Sequence, residues 1–449
     1  MIGVIGILRT ISHNYPLIWL QRTAWSTMDL TPNEVVRGMT QLDRGKFFKM
    51  ISVPSVLVKS ADVGRSLKVL KKYMLKIEKL KSIFDADCEQ KRILLDPKIF
   101  DSYSALTAAE IESLTNIGVS ETSFAKADVN LTYENFRSDD VLKAVLPEGK
   151  EGCTSYSRIG HIVHLNLRDH LIPYKGLIGQ VLLDKLQGIT TVVNKSHVID
   201  TTYRNFEMEI LAGDSNLVAE VRENSCLFKF DFSKVYWNPR LCTEHERIIK
   251  LLPEKSVLFD VFAGVGPFSL PAAKIRKCRV FANDLNPNSY HWLKENARLN
   301  KLGQVETFNK DGRQFIGQDL RGYLLAQQRD SGETAEVHVT MNLPALAVEF
   351  LDAFIGLLSD TYETQKEIDI TVHVYAFCQE SSAFSEMREK VERVLQCGLE
   401  TRILEIIDVR DVSPKKHMLR MSFRMPACVL HRDYQSEECS AKRPRFDSD

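Results

Sequence analysis

The stretch Val257–Pro271, VLFDVFAGVGPFSLP, restricts the fold of this chain more than any other. It predicts a buried strand over Val257–Phe262, a glycine turn over Ala263–Gly266, and then the start of a helix. Such a turn presents backbone N–H groups and a helix N-terminus to a polar ligand, because glycine lacks the Cβ that would obstruct the approach. That is the layout of a nucleotide-type cofactor site, with Asp260, Gly264 and Gly266 as its first candidate cofactor-binding residues. Position 269 is Ser, so the third glycine of the dinucleotide pattern G-x-G-x-x-G is missing and S-adenosylmethionine is favoured over NAD. The plainer reading is a turn that only joins a strand to a helix.

Beyond the turn, strands and helices alternate: Val280–Asp284, Ser289–Leu299, Val305–Asn309, Val337–Met341, Ala347–Leu358, Asp369–Phe377, Phe384–Leu395, Thr401–Val409 and Met418–Met425. This order predicts an α/β fold with a doubly wound, mostly parallel sheet that ends in an antiparallel pair. Gln327–Ala335 is polar and reads as a surface insertion. His431–Asp449 is charged, lacks apolar spacing and reads as a disordered tail, in which Lys442-Arg443-Pro444-Arg445 is either a nuclear import signal or a chance basic cluster.

Before the turn, Ile51–Lys59 reads as a strand with Pro54 at an edge. Arg65–Lys81 carries Leu67, Leu70, Met74, Ile77 and Leu80 at helical spacing, and its other face is basic, fit for phosphates or simply for water. Thr107 and Glu110 form a capping box for a helix at Ala108–Leu114, and Ser138–Leu146 is also helical. The cluster from Pro147 to Gly152 marks a boundary. Past it, Tyr156–Leu167 alternates as a strand, Leu177–Leu186 is helical, and Thr190–Asn194, Tyr203–Ala212, Leu217–Glu223 and Cys226–Asp231 are strands. Thr243 and Glu246 read as a second capping box. The expected division is 1–40 as a mitochondrial presequence or flexible start, 41–150 as a small N-terminal α/β domain, 151–240 as a sheet-rich middle domain, 241–430 as the cofactor domain, and 431–449 as the tail.

At 449 residues the chain exceeds a single small core. Lys+Arg and Asp+Glu both number 59, so no global positive field draws in a polyanion and any nucleic acid must be held by local patches. Nine scattered cysteines with no C-x-x-C pair read as reduced thiols, which favours the cytosol, the nucleus or the mitochondrial matrix. No apolar run is long enough for a membrane span. The first 28 residues hold no Asp or Glu but include Arg9 and Arg22, the composition of a mitochondrial presequence; the alternative is an unstructured start before Met28.

Asp284, 18 residues past Gly266, stands where nucleotide-binding sheets place the acid that accepts from ribose hydroxyls, although it could instead cap the following helix. Asp311 and Gly312 would face the adenine edge, or merely form an Asp-Gly turn. Asn342, followed by Pro344, puts an amide donor and acceptor at the carboxyl edge of the fourth strand, where the transferred group is expected.

DVFAGVGPF, NDLNPN, KDGRQF and MNLPALAVEFLDAF, in this order, resemble the class I S-adenosylmethionine-dependent methyltransferases. With VYWNPRLCTEHERI before them, they resemble more narrowly the tRNA (guanine-N1)-methyltransferases that modify guanosine 37 in archaea and eukaryotes. The resemblance is strong over Tyr156–Pro426 and weak over Leu30–Pro147. It implies Glu244 as general base, Arg204 as donor to guanine O6, Tyr236 packed at the site, and Asn342 and Pro344 against base and cofactor. His245, Asp284, Leu285, Asp311, Gly312 and Asn342 fall where the family contacts S-adenosylmethionine. It also implies a monomer that binds tRNA at the anticodon loop and outer corner, with Arg158, Arg168, Lys175, Lys185 and Lys195 as candidate phosphate contacts, and no membrane partner. Each residue has a plainer role available: Glu244 can serve the helix dipole, Arg204 a surface ion pair, Tyr236 the core, and His245 a solvated first turn. Alternative functions are an aminocarboxypropyl transferase of wybutosine synthesis and a non-catalytic tRNA-binding protein.

Overall fold

The computed structural model describes residues 30–149, 152–153, 155–199, 206–329, 335–359, 369–379, 382–413 and 415–432. Residues 1–29 of the expected presequence, Arg204, the middle of the 327–335 insertion and the tail from 433 with its basic cluster lie outside the described residues; residues 30–40, by contrast, are ordered onto the N-terminal unit, with Val36 buried and Arg37 donating to the Lys143 and Leu146 carbonyls. The chain divides into two compact units between Gly152 and Cys153, at the end of the proline and glycine cluster.

The first unit is an antiparallel sheet of β1 (Phe48–Lys59), β2 (Ile83–Asp85), β3 (Gln90–Leu94) and β4 (Phe124–Thr132), ordered β2-β3-β1-β4. Helices α1 (Val63–Leu70), α2 (Ala108–Thr115) and α3 (Ser138–Val145) accompany it, and the Thr107–Glu110 capping box is present at α2. Two expectations fail here. The helix expected over Arg65–Lys81 stops at Leu70, because Met74 bridges to Leu95 and Leu75 N–H donates to the Leu94 carbonyl at 3.0 Å. Sheet pairing overrides the helical spacing of Met74, Ile77 and Leu80. Pro54 is not at an edge, since β1 lies between β3 and β4; the β3 ladder begins only at Ser55, so the missing N–H breaks no rung there.

The second unit begins with β5 (Tyr156–Ile159), β6 (Ile162–Leu165), β7 (Thr191–Ile199) and β8 (Phe206–Gly213), with α4 (Lys175–Lys185) packed on β7 and β8. The single strand expected over Tyr156–Leu167 is a hairpin. Gly160 turns it at φ +58°, where a Cβ would meet the Glu220 carbonyl at 2.6 Å. A second hairpin, β9 (Val218–Glu223) and β10 (Cys226–Asp231), shares one core with the large sheet through Ala219, Phe228, Phe230, Val280 and Leu293. Residues from 153 onward therefore form one unit rather than two.

After α5 (Cys242–Leu251) comes a seven-stranded sheet: β11 (Val257–Asp260), β12 (Arg279–Asn283), β13 (Val305–Phe308), β14 (Val337–Met341), β15 (Ile370–Gln379), β16 (Ile403–Ser413) and β17 (Lys416–Arg424). Its order is β13-β12-β11-β14-β15-β17-β16, with β17 antiparallel to both neighbours and the first five strands parallel. This is the doubly wound α/β sheet expected, with α6 (Ser269–Arg276), α7 (Pro287–Leu299), α8 (Gly312–Phe315), α9 (Arg321–Arg329) and α10 (Ala383–Leu395) as crossovers. Helix α8 continues through one π-helical segment, Ile316–Leu320, into α9, a continuity that the sequence reading missed. Strand β11 ends at Asp260, and Ala347–Leu358 holds only the 3-10 turn Glu349–Phe354. No described helix is long and apolar enough to cross a membrane.

Candidate active site

The carboxyl ends of β11 to β14 meet at one edge, and the glycine turn rises from the first of them. The Gly264 N–H donates to Asp284 Oδ2 at 2.8 Å, and Asp284 Oδ1 accepts from the Asn286 N–H at 2.9 Å. Burial pushes the Asp284 carboxyl up to about 6, while the backbone donors of Asn286 and Gly264 pull it back. Helix α7 is capped by Asn286, not by Asp284, so the helix-cap alternative for Asp284 falls away. Asn283 braces this edge: its Nδ2 donates to the carbonyls of Val261 and Lys310, and its Oδ1 accepts from the Lys310 N–H.

The two glycines differ. Gly264, at φ +57°, has open space where a Cβ would stand, the room a ligand needs. Gly266, at φ +98°, would put a Cβ 2.8 Å from Leu270 and Leu293, so it serves packing. Asp260 is fully buried beneath the turn, accepts from Ser269 Oγ at 2.6 Å, and is pushed up to about 7 by desolvation. Its Oδ1 has no partner among the described residues.

Asp311 caps α8, accepting from the Arg313 N–H at 2.9 Å, rather than forming a simple Asp-Gly turn. A Cβ on Gly312 would lie 2.9 Å from the Phe350 ring, so a side chain, not a ligand, occupies its close approach. Phe350 meets Phe262 edge to face at 5.0 Å, which gives this corner an aromatic wall. Leu285 is exposed nearby in sequence to Asp284. At the end of β14, Asn342 holds a buried Oδ1 with no partner among the described residues, and the Pro344 carbonyl accepts from the Phe377 N–H of β15 at 3.0 Å.

The same end of β15 holds Glu244. Helix α5 starts from a 3-10 turn, Pro239–Leu241, which Asn238 caps through the Arg240 N–H; Thr243 lies inside the helix and the expected Thr243–Glu246 box does not form. Glu244 sits in the first turn and is buried. Its Oε1 accepts from Tyr375 Oη at 2.8 Å and Arg420 Nε at 2.7 Å, and its Oε2 from Arg247 Nη1 at 2.5 Å. Burial, reinforced by the Glu244 charge, holds the Tyr375 phenol well above its usual range, so it stays a donor. His245 is also buried rather than solvated, paired through Nδ1 with Glu223 at 2.5 Å and lying edge-on to Phe268 just past the glycine turn.

Tyr236 is 55% exposed and accepts from Asn238 Nδ2 at 3.3 Å, whereas its neighbour Trp237 stacks on Phe230 in the core. Arg204 is outside the described residues. Of the basic candidates, Lys175 pairs with Glu209 and Arg158 donates to the Gly160 carbonyl. Arg420, Tyr375 and Arg247 were not anticipated. The available signal was Arg420 itself, a lone cation inside the apolar run HMLRMSF.

The open Cβ side of Gly264, the carboxylate of Asp284 and the unpaired Asn342 Oδ1 fit a polar nucleotide-type cofactor along this edge. Residues 219–404 match the model of the TRM5/TYW2 methyltransferase domain, and residues 138–216 that of the TYW2 N-terminal domain. A tRNA (guanine(37)-N(1))-methyltransferase of Drosophila melanogaster is 49% identical over 408 residues, covering 90% of this chain and 88% of that one. The chain belongs to the tRNA (guanine(37)-N(1))-methyltransferase family. The protein of that name from Homo sapiens is 44% identical, with 92% of this chain and 83% of that one covered. The crystal structure of wild-type Trm5b from Pyrococcus abyssi aligns with a TM-score of 0.57 at 25% identity, over 83% of this chain and 99% of that one. Membership makes the chain an S-adenosylmethionine-dependent methyltransferase, and most of the seven-stranded sheet falls within the matched methyltransferase domain.

Proposed function

We propose that the chain methylates N1 of guanosine 37 in tRNA, beside the anticodon, with Glu244 as general base. Guanine N1 carries a hydrogen, so transfer needs a proton acceptor, and charge grows toward O6 as N1 attacks. One observation carries this reading: a buried carboxylate is held from three sides in the first turn of α5, beside the edge where Asn342 and Pro344 stand. S-adenosylmethionine supplies the methyl group on a cationic sulfur. Gly264 and Asp284 are assigned to hold it, with Leu285, Asp311, Gly312 and His245 around it and Asp260 and Gly266 beneath. Arg204 donates to O6, Tyr236 offers its exposed ring as a packing face for the base, and Asn342 with Pro344 orients it. Extraction of guanine from the stacked loop goes with this assignment, since N1 is hidden in the stack.

The test is transfer of tritiated methyl to unmodified tRNA transcripts carrying guanosine or adenosine at position 37. Label on the guanosine transcript alone is expected; no label, under conditions where S-adenosylmethionine binds, would sink the assignment. A second reading, aminocarboxypropyl transfer, draws on the match of residues 138–216 to a TYW2 domain. Methylthioadenosine as by-product would favour it, and S-adenosylhomocysteine the first. The chain is proposed to work as a monomer, which light scattering checks, and its acid-free start is proposed to direct it to mitochondria. The basic cluster near its end is proposed to direct a further pool to the nucleus. Fusing residues 1–40, and separately 431–449, to a fluorescent protein tests both addresses.

A further inference from the structure

Glu244 rests on a polar array that the sheet itself builds. Tyr375 of β15 and Arg420 of β17 are direct cross-strand partners, and so are His373 and Ser422 two pairs along; the period of two puts all four on one face. All four are buried, Arg420 and Tyr375 completely. Arg420 spends Nε on Glu244 and Nη1 on Glu405, at 2.7 Å each, and Nη1 also contacts Ser422 Oγ. Behind it, His373 Nδ1 lies 2.8 Å from Ser422 Oγ, and His373 Nε2 lies 3.1 Å from His338 Nδ1 on β14. Buried ion pairs often contribute no more stability than apolar side chains of the same volume, so packing alone is a weak reason for this array.

We propose that Arg420 and Tyr375 are positioning residues for methyl transfer: they tie down Oε1 of Glu244 and leave Oε2 as the oxygen that takes the guanine proton. The asymmetry of the two oxygens carries this. Both partners of Oε1 are fixed in the sheet, whereas the partner of Oε2, Arg247, is 43% exposed on a flexible stem and can swing away. The step balances. N1 bonds to the methyl carbon as the methyl–sulfur bond breaks, the sulfur keeping the electron pair; the N1 proton passes to Oε2. The positive sulfur and the negative carboxylate both end neutral.

This rests on Glu244 being the base, and the experiment separates the two claims. Single-turnover methyl transfer to a guanosine-37 transcript is followed from about pH 5.5 to 9 for the wild type, Tyr375→Phe, Glu244→Gln and the double variant. Tyr375→Phe removes one oxygen and keeps the ring. It is expected to slow the reaction about ten-fold at low pH and to move the acidic limb up by about one unit, because losing a donor favours the protonated carboxyl. KM for tRNA should not change, and in the Glu244→Gln background the substitution should cost nothing further. Arg420→Lys should shift the limb in the same direction; if it does not fold, Tyr375→Phe decides alone. A pH-independent loss, a raised KM or a further loss in the Gln background would overturn the proposal. Glu244→Gln with the wild-type rate would overturn the base assignment itself, and this inference with it. A dead Glu244→Gln beside an unaltered Tyr375→Phe would overturn only the inference.

Discussion

Asp260 and Asp284 lie 24 residues apart at the tips of neighbouring strands, and burial raises both carboxyls, yet they have different work. Asp260 is sealed under the turn. Its folded pKa of about 7 stands above the ordinary value of 3.8, so the folded state holds the proton more tightly than the unfolded chain. Its contribution to stability is full below about pH 4 and lost as pH rises through about 7. Asp260→Asn should therefore hold its melting temperature better than the wild type between pH 5 and 8 in parallel thermal melts; an equal decline would show that Asp260 does not titrate there. Asp284, by contrast, is assigned to the cofactor in the proposed function. Asp284→Ala is expected to weaken S-adenosylmethionine binding about ten-fold or more by calorimetry while tRNA binding is kept, from the loss of hydrogen bonds to a charged acceptor. Tyr236→Ala should leave stability within about 0.5 kcal/mol, since the side chain is exposed, and still reduce methyl transfer.

The glycine turn and the start of α5 are the elements that set the site. At Gly266 an added Cβ is blocked by Leu270 and Leu293 at an unfavourable φ, so Gly266→Ala should cost about 2–3 kcal/mol in a denaturant titration. Gly264→Ala meets open space and only the left-handed φ, a cost of about 1–2 kcal/mol, but its methyl group would stand in the space proposed for the cofactor. The variant should fold and bind S-adenosylmethionine poorly; normal binding would move the cofactor away from Gly264. At α5 the cap is Asn238, so Asn238→Ala should cost about 1 kcal/mol, whereas Thr243→Ala should cost little, the reverse of what the sequence pattern suggests.

The whole molecule divides once, between Gly152 and Cys153, and the second unit carries every described site residue. A fragment from residue 153 onward should fold and bind S-adenosylmethionine with unchanged affinity by calorimetry. Its KM for tRNA should rise, because residues 41–150, within the first unit, are expected from the resemblance to be the tRNA-binding domain that touches the outer corner. Full tRNA affinity in the fragment would remove that assignment.

Local patterns determined much of this protein. Glycines that need particular backbone angles, alternating apolar runs and acids at strand ends are properties of short stretches, so the placement of Gly264, Asp284, Asp311 and Asn342 at the carboxyl edge of one sheet was legible in the sequence. The Arg65–Lys81 helix and the Thr243 cap were misread for the same reason, since a short window does not contain the strand that pairs with Met74 or the turn that Asn238 closes. Only the tertiary structure decided what holds Glu244. Its partners Tyr375 and Arg420 lie 131 and 176 residues away, and they meet it because β15 and β17 pair in antiparallel register beneath α5.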